Sequence, residues 1–247
     1  MDYHAFTREL RERLSADARV TGLIAVGSMA AIDYEPDTWS DHDFFVITPT
    51  GGQEELRRDL TWLPRSDEIV LSFRETEHGS KVLYREGHLV EFAVFDLDEL
   101  ALAAVNRYRV LVDRGGVEQR LRELAARPPR EPESDDHLFG MFVSGLQVGM
   151  GRTARGERLS GSFFCLWGTR YLCRLVARHV PAPNGTLLDE FDALRRFERV
   201  YPELGAEIEC ALRDDPSALL DLAERELRSR LLRLAWPAVE AVRGRAG

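Results

Sequence analysis

The chain has 247 residues, of which 44% are hydrophobic and 30% charged, and its formal net charge is −9. This composition is that of a globular protein and excludes a wholly disordered chain. The excess of acids argues against nucleic acid as a partner, because phosphate backbones attract basic proteins, and it suits a cationic ligand. No apolar run approaches the roughly 20 residues that cross a bilayer, so no membrane partner is expected.

The cysteines and the N-terminus indicate the compartment. Cys165, Cys173 and Cys210 form no CxxC pair, which argues against a disulfide framework or a zinc knuckle. Residues 1–16 are polar and charged and lack the apolar core of a signal peptide. We therefore expect a protein of the reducing cytoplasm. Lys81 is the single lysine among 33 basic residues, a bias to which the sequence alone gives no role.

In the first half of the chain, helical and strand patterns alternate. Helical spacing of apolar residues predicts a helix over Asp2–Leu14, and the apolar runs Leu23–Val26 and Phe44–Ile47 predict strands buried on both faces. The later patterns predict helices over Gln53–Leu63, Leu97–Val105 and Val117–Ala126, and strands over Glu68–Phe73, Lys81–Arg85, His88–Phe95 and Tyr108–Val112. These elements predict an α/β or α+β domain.

The second half shows helical patterns alone. Arg127–Glu133, with the sequence RPPREPE, is rich in proline and charge and predicts a linker. Beyond it, we predict helices over Leu138–Arg152, Glu157–Val180, Asp189–Phe197 and Glu203–Leu212, and a final helix from Pro216 that carries its apolar stripe to Leu234. These apolar stripes predict the core of a helical bundle.

A candidate phosphate site follows the first predicted strand. Gly27 lets the backbone approach a ligand closely, and Ser28 adds a hydroxyl. If a helix begins around Met29–Ile32, its free amides form an anion site. Such a turn suits a triphosphate.

Three acidic residues form a candidate metal site. Asp41 and Asp43 have the i, i+2 spacing that puts both carboxylates on one face of a strand, with His42 on the other. Carboxylates this close repel each other unless a cation lies between them, and oxygen ligands with room for phosphate suit Mg²⁺. Glu91 is the single carboxylate in an otherwise apolar strand, so a partner for it is expected, through a metal or a catalytic role.

These residues together resemble the pattern of the nucleotidyltransferase superfamily, the polymerase-beta-like fold. That superfamily combines a Gly-Ser turn, an Asp-x-Asp pair and a third acidic residue on a neighbouring strand. The match covers about the first 125 residues. The domain order is similar to the antibiotic-modifying branch, which includes lincosamide, kanamycin and streptomycin adenylyltransferases. Two bundle segments, Arg155–Glu157 and Arg195–Pro202, also resemble the lincosamide-type enzymes.

The resemblance implies an α+β chain. An N-terminal nucleotidyltransferase domain, with a mixed sheet flanked by helices, would occupy residues 1–127. An all-α helical bundle that binds substrate would occupy residues 134–247. The acceptor is expected between the two, with Trp167, Tyr171 and Asp189–Glu190 on the bundle side. Some relatives dimerise, so a homodimer is left open.

The resemblance also implies roles for the site residues. Asp41 and Asp43 would bind two Mg²⁺ ions, and Gly27 and Ser28 would hold the phosphates of ATP. Glu91 would complete the metal site or act as general base, although in some branches the base comes from the bundle. The implied reaction transfers AMP from ATP to a hydroxyl of a small molecule, with an aminoglycoside or lincosamide antibiotic as candidates, and releases pyrophosphate.

Other functions have weaker support in the sequence. A toxin-like nucleotidyltransferase acting on tRNA or protein would need a basic face, and an inactive nucleotide-binding module would not keep all three acids. Arg174 and His179 match the RxxxxH pattern of HEPN-type ribonucleases. With 32 arginines and 6 histidines in 247 residues, about 0.8 such matches are expected by chance, as 6 × 32/247.

Overall fold

The computed structural model describes residues 2–30, 35–103, 107–126, 132–182, 185–189 and 192–246. The chain divides into two compact units, Met1–Pro129 and Arg130–Gly247. Most of the predicted linker Arg127–Glu133 lies outside the described residues. The predicted α+β class is confirmed, because the first unit contains a mixed sheet with helices and the second is helical.

The first unit is built on a six-stranded sheet, counted over the described residues. Its strands are β1 (Gly22–Val26), β2 (His42–Ile47), β3 (Ile69–Arg74), β4 (Gly79–Tyr84), β5 (Leu89–Phe95) and β6 (Tyr108–Asp113). They lie in the order β3-β4-β5-β2-β1-β6. β2 and β5 are parallel, and the other neighbouring strands pair antiparallel. These two central parallel strands carry Asp43 and Glu91, and Asp41 directly precedes β2.

Alternate residues of the central strands pack on opposite faces of the sheet, as their apolar runs predict. On one face, Ala25 and Phe44 pack with α1 (Tyr3–Ala16) and α2 (Gln53–Arg58). On the other face, Ile24 and Phe95 pack with α3 (Val117–Ala125). The helices therefore cover much of the sheet through ordinary burial of apolar side chains.

The second unit is a bundle whose two longest helices among the described residues, α4 (Asp135–Ala154) and α5 (Arg158–His179), pack very closely. A Cβ built on Gly145 of α4 would lie 2.8 Å from the Cα of Gly168 in α5, so this approach requires glycine. The bundle continues with α6 (Phe197–Val200), α7 (Pro202–Asp214), α8 (Ala218–Leu227) and α9 (Pro237–Ala246). None of the described helices has both the length and the apolar character of a membrane span.

Two predictions in the first unit were too long. The helix predicted to Leu63 ends at Arg58, because the carboxylate of Asp59 accepts hydrogen bonds from the backbone and hydroxyl of Thr61 and turns the chain. Likewise, the described part of the helix predicted over Leu97–Val105 is a 3₁₀ turn, Glu99–Leu102.

Two predictions in the second unit were wrong. The described part of Asp189–Phe197 forms turns, and Arg196 has a left-handed φ of 64°, which a helix does not accommodate. The final helix is divided: α8 ends at Leu227, and α9 begins at Pro237, which lacks the N–H needed to continue a preceding helix. The amphipathic stripe did not mark this division because both parts bury apolar residues.

Candidate functional site

The Gly27–Ser28 turn lies at the end of β1, beside the candidate acids. The chain leaves Val26 into a 3₁₀ turn, Gly27–Ala30, and residues 31–32 of the segment where a helix could begin, Met29–Ile32, lie outside the described residues. Gly27 has a φ of +52°, and a Cβ at this position would lie 3.5 Å from Oδ2 of Asp43. The glycine thus keeps open an exposed backbone turn next to this carboxylate.

Ser28 connects this turn by a hydrogen bond to Asp41, the residue before β2. Its hydroxyl is buried and donates a hydrogen bond of 2.6 Å to the backbone carbonyl of Asp41. The Tyr3 hydroxyl of α1 donates to the same carbonyl at 3.0 Å and lies 2.9 Å from Ser28 Oγ. The Ser28 side chain, for which a role in phosphate binding was predicted, therefore positions Asp41 in this structure.

Asp43 and Glu91 lie side by side. Asp43 of β2 is the register partner of Glu91 on the parallel strand β5, so the two side chains emerge on the same face of the sheet. Asp41 directly precedes β2, which begins at His42. All three acids are partly exposed. The fold thus brings the Gly27–Ser28 turn, the aspartates and Glu91 to the same end of the sheet, where β1 ends and β2 and β5 begin.

His42 points to the opposite face, as predicted. It is fully buried, and its ring stacks on Tyr3 with centroids 3.8 Å apart. Its Nδ1 lies 2.7 Å from Nε2 of His88, and its Nε2 lies 2.9 Å from the Thr7 hydroxyl. Burial, with a smaller contribution from His88, lowers the pKa of His42 to about 3. His42 is therefore a neutral core residue that connects β2 to α1.

Glu91 has a partner that the sequence analysis did not find. Nζ of Lys81, in the middle of β4, lies 3.0 Å from Oε1 of Glu91 and 3.0 Å from Oε1 of Glu75. Lys81 is the register partner of Glu91 across the β4–β5 hairpin. The turn between these strands contains Gly87, and the register counted outward from Glu86 pairs the two positions.

The acidic side chains would bind Mg²⁺ only together with oxygen ligands from outside the protein. Within the described residues, no three histidine, cysteine or acidic side chains are arranged to hold a metal ion. Mg²⁺ in phosphoryl-transfer sites is, however, bound by one or two carboxylates together with substrate phosphates and water. Asp41 and Asp43 provide two carboxylates at the start of β2, which is the kind of oxygen donor that such a site uses.

A cavity of about 360 Å³ opens beside Asp41. It is lined by Tyr3, residues 37–41 and residues 86–89. The lining includes the carboxylates of Asp37 and Glu86 and the indole of Trp39, which is 93% exposed. An exposed indole among carboxylates can contact a cationic ligand. A larger cavity, of about 890 Å³, lies in the helical unit along the second half of α4, away from these acids in sequence.

The residues of the helical unit that were named in the sequence analysis make the following contacts in the structure. Trp167 and Tyr171 stand edge to face on α5, with centroids 5.1 Å apart. Asp189 pairs with Arg195, and Glu190 lies outside the described residues. Both residues of the RxxxxH pattern pair with acidic side chains. Arg174 contacts Glu133, and His179 Nε2 lies 2.9 Å from Asp135 Oδ2.

No family model and no curated protein matches the chain. Among solved structures, it is similar to an aminoglycoside 6-adenyltransferase from Bacillus subtilis, with 10% identity over 97% of this chain and 95% of that one, at a TM-score of 0.37. It is also similar to a nucleotidyltransferase-like protein from Exiguobacterium sibiricum, with 15% identity over 96% of this chain and 77% of that one, at a TM-score of 0.37. Similarity at this level does not by itself assign an activity to this chain.

Proposed function

We propose that this chain is a nucleotidyltransferase that transfers AMP from ATP to a hydroxyl of a small molecule. One observation carries the proposal: Asp43 and Glu91 are register partners on parallel strands, next to a Gly-Ser turn that is hydrogen-bonded to Asp41. These residues are far apart in the sequence, and the same chemistry was predicted for all of them. In the fold they lie together at one end of the central strands. A structural role alone does not require three acids and an open glycine turn at this place.

In the proposed reaction, the acceptor oxygen attacks the α-phosphorus of ATP and the bond to the β-phosphate oxygen breaks, so that pyrophosphate leaves. Asp41 and Asp43 would hold Mg²⁺, which when bound neutralises charge on the phosphates. Glu91 would accept the proton of the acceptor hydroxyl. Gly27 would let the triphosphate approach the backbone, and Ser28 would hold the turn against Asp41.

The cavity beside Asp41 supports a cationic acceptor. It offers the carboxylate of Asp37 and the exposed ring of Trp39, whereas the Glu86 carboxylate in its lining is paired with Arg65. These groups suit an amine-bearing compound with hydroxyl groups, a chemistry that aminoglycosides and lincosamides share. Two further proposals are that the first unit carries out the chemistry and that the helical unit helps to bind the acceptor.

The direct test follows the label from ATP carrying ³²P at the α-phosphate. With Mg²⁺ and a panel of aminoglycosides and lincosamides, we expect label on a small molecule, whereas ATP labelled at the γ-phosphate transfers none. Label on tRNA or protein instead would identify a toxin-like enzyme. Nucleotide binding without transfer to any acceptor would identify an inactive binding module.

Glu91→Gln tests the proposed base. We expect kcat to fall about 10²-fold or more, with little change in the KM for ATP, because proton transfer is lost while nucleotide contacts remain. The matched control is Glu77→Gln, an exposed carboxylate in the loop between β3 and β4. A near-normal rate for Glu91→Gln would move the role of base to the bundle.

A further inference from the structure

Lys81 lies in the same row of the sheet as the central acids. Lys81 on β4 pairs with Glu91 on β5, and Glu91 pairs with Asp43 on β2, so three charged side chains stand on adjacent strands at one level. Neighbouring strands are about 4.8 Å apart, which puts the side chains of such a row within contact range. The order across the row is ammonium, carboxylate, carboxylate.

The ion pair between Lys81 and Glu91 is partly buried. The two side chains are 24% and 29% exposed, and the ammonium is held between Glu91 and Glu75, each at 3.0 Å. A partly buried ion pair is screened less by water and salt than a surface pair. The hydrogen bonds that the Lys81 ammonium donates to Glu75 and, to a smaller extent, to Glu91 also raise the pKa of Lys81, so the side chain keeps its charge at neutral pH.

The chemistry of lysine suits this position. Every other basic residue of the Lys+Arg count is arginine, 32 in all, and the single lysine lies in this row. An ammonium is a compact point charge that can contact two carboxylates at once, whereas a guanidinium is a larger planar fork. Two neighbouring carboxylates need a cation to offset their repulsion, and Lys81 provides one from the protein itself.

We propose that Lys81 is a positioning residue that occupies, at Glu91, the place a metal ion would otherwise take. Mg²⁺ is then bound by Asp41 and Asp43 with the nucleotide, and Glu91 is reserved for the acceptor hydroxyl. This inference rests on the proposed nucleotidyl transfer and gives the three acids unequal roles.

The single lysine allows a direct spectroscopic test. Protein labelled with ¹³Cε-lysine should give one lysine side-chain signal in an NMR spectrum, and Glu91→Gln should shift it. Addition of Mg²⁺ and α,β-methylene-ATP to the wild-type protein should shift this signal by less than half as much, because Lys81 stays on Glu91. A shift equal to that of Glu91→Gln would overturn the proposal, since Glu91 would then have left Lys81 for the metal.

Metal affinity provides the second readout. With Mn²⁺ and α,β-methylene-ATP as probes, we expect Asp43→Asn to weaken Mn²⁺ binding about tenfold or more and Glu91→Gln to change it less than about twofold. In a Lys81→Met background, Glu91 is released and an additional Mn²⁺ should bind. Lys81→Arg keeps the charge and should bind no additional ion.

The outcomes separate the two proposals. Equal weakening by Asp43→Asn and Glu91→Gln in wild-type Lys81 protein would overturn the role of Lys81 and leave nucleotidyl transfer standing. No effect of Asp43→Asn would instead remove the metal site on which the proposed function depends. Glu91→Gln and the wild-type NMR signal decide the matter even if Lys81→Met does not fold.

Discussion

Asp43 and Glu91 are direct neighbours on the two parallel strands at the centre of the sheet. Their pairing depends on a crossover that includes α2 and the β3–β4 hairpin before β5 returns beside β2. Because both strands are buried by apolar residues on either side of these acids, the register cannot slip by one residue without exposing the core. The packing of the sheet therefore fixes Asp43 and Glu91 as neighbouring positions on the two strands.

Asp43→Asn is expected to abolish transfer without unfolding the protein. The substitution keeps size and hydrogen-bonding capacity but removes a negative charge from the proposed Mg²⁺ site, so kcat/KM should fall about 10³-fold or more. The Tm should stay within a few degrees of wild type, because Asp43 is partly exposed. Asp67→Asn, at an exposed acid of the same unit, is the control and should retain activity. Substantial activity in Asp43→Asn would refute the metal assignment.

Ser28→Ala is expected to act through Asp41. Loss of the buried hydrogen bond to the Asp41 carbonyl should lower the free energy of unfolding by about 1 kcal/mol, measured in urea. Tyr3→Phe should cost a similar amount, since its hydroxyl donates to the same carbonyl. The double variant should lose less than the sum, because both groups belong to one network.

The activity of Ser28→Ala distinguishes positioning from phosphate binding. If the hydroxyl positions Asp41, kcat falls more than the affinity for ATP. A loss confined to ATP affinity, with unchanged stability, would show that the hydroxyl binds phosphate instead. Ser144→Ala, at an exposed serine of α4, is the control for the substitution itself.

Trp39→Ala tests the cavity beside Asp41. The indole is 93% exposed, so its removal should leave stability unchanged. If it covers a cationic acceptor, the KM for the acceptor found in the transfer assay should rise about fivefold, which corresponds to roughly 1 kcal/mol of cation–π contact. The KM for ATP should not change, and Trp39→Phe should restore part of the effect. A rise in the KM for ATP alone would place the nucleotide in this cavity.

Much of the site could be predicted from the sequence because its residues interrupt apolar runs. Phe44–Ile47 and the run around Glu91 identify buried strands, and acids within or beside them are conspicuous. The contact between Lys81 and Glu91 could not be found from the Gly87 turn alone, because the register is centred on Glu86 and a hairpin centred on Gly87 would pair Leu83 with Glu91. The contact of Tyr3 with Ser28 and Asp41 could not be found either, because it joins residues 25 and 38 positions apart without any local pattern.

The helices were less predictable at their ends than in their middles. Helical spacing identified α4 and α5, whose long apolar faces pack together. It failed after Leu227, where Leu231 and Leu234 continue the stripe in a turn that contains the hydrogen bond from Trp236 Nε1 to the Leu231 carbonyl. Burial of an apolar side chain does not require a helix, so periodicity alone overextended the last one.

His42 gives the protein a specific sensitivity to acid. Its pKa is lowered from 6.5 to about 3 in the folded state by burial among Tyr3, Phe6, Thr7 and His88. His42 binds a proton more readily in the unfolded chain than in the folded one. Its titration therefore does not lower the free energy of unfolding above a pH of about 6.5. The free energy of unfolding decreases as the pH falls from there towards 3, by at most about 1.4 kcal/mol per pH unit.

The measurement is urea unfolding of the metal-free protein at a series of pH values, with His42→Gln as the comparison. Glutamine can keep hydrogen bonds to the Thr7 hydroxyl and to His88, but it does not titrate. The variant should be less stable at pH 8, and the difference from wild type should shrink as the pH falls below about 6. His88, whose pKa is also lowered by burial, is present in both proteins but contacts His42, so the difference between the curves belongs to the His42–His88 pair. Parallel curves for the two proteins would show that His42 does not cause the loss of stability in acid.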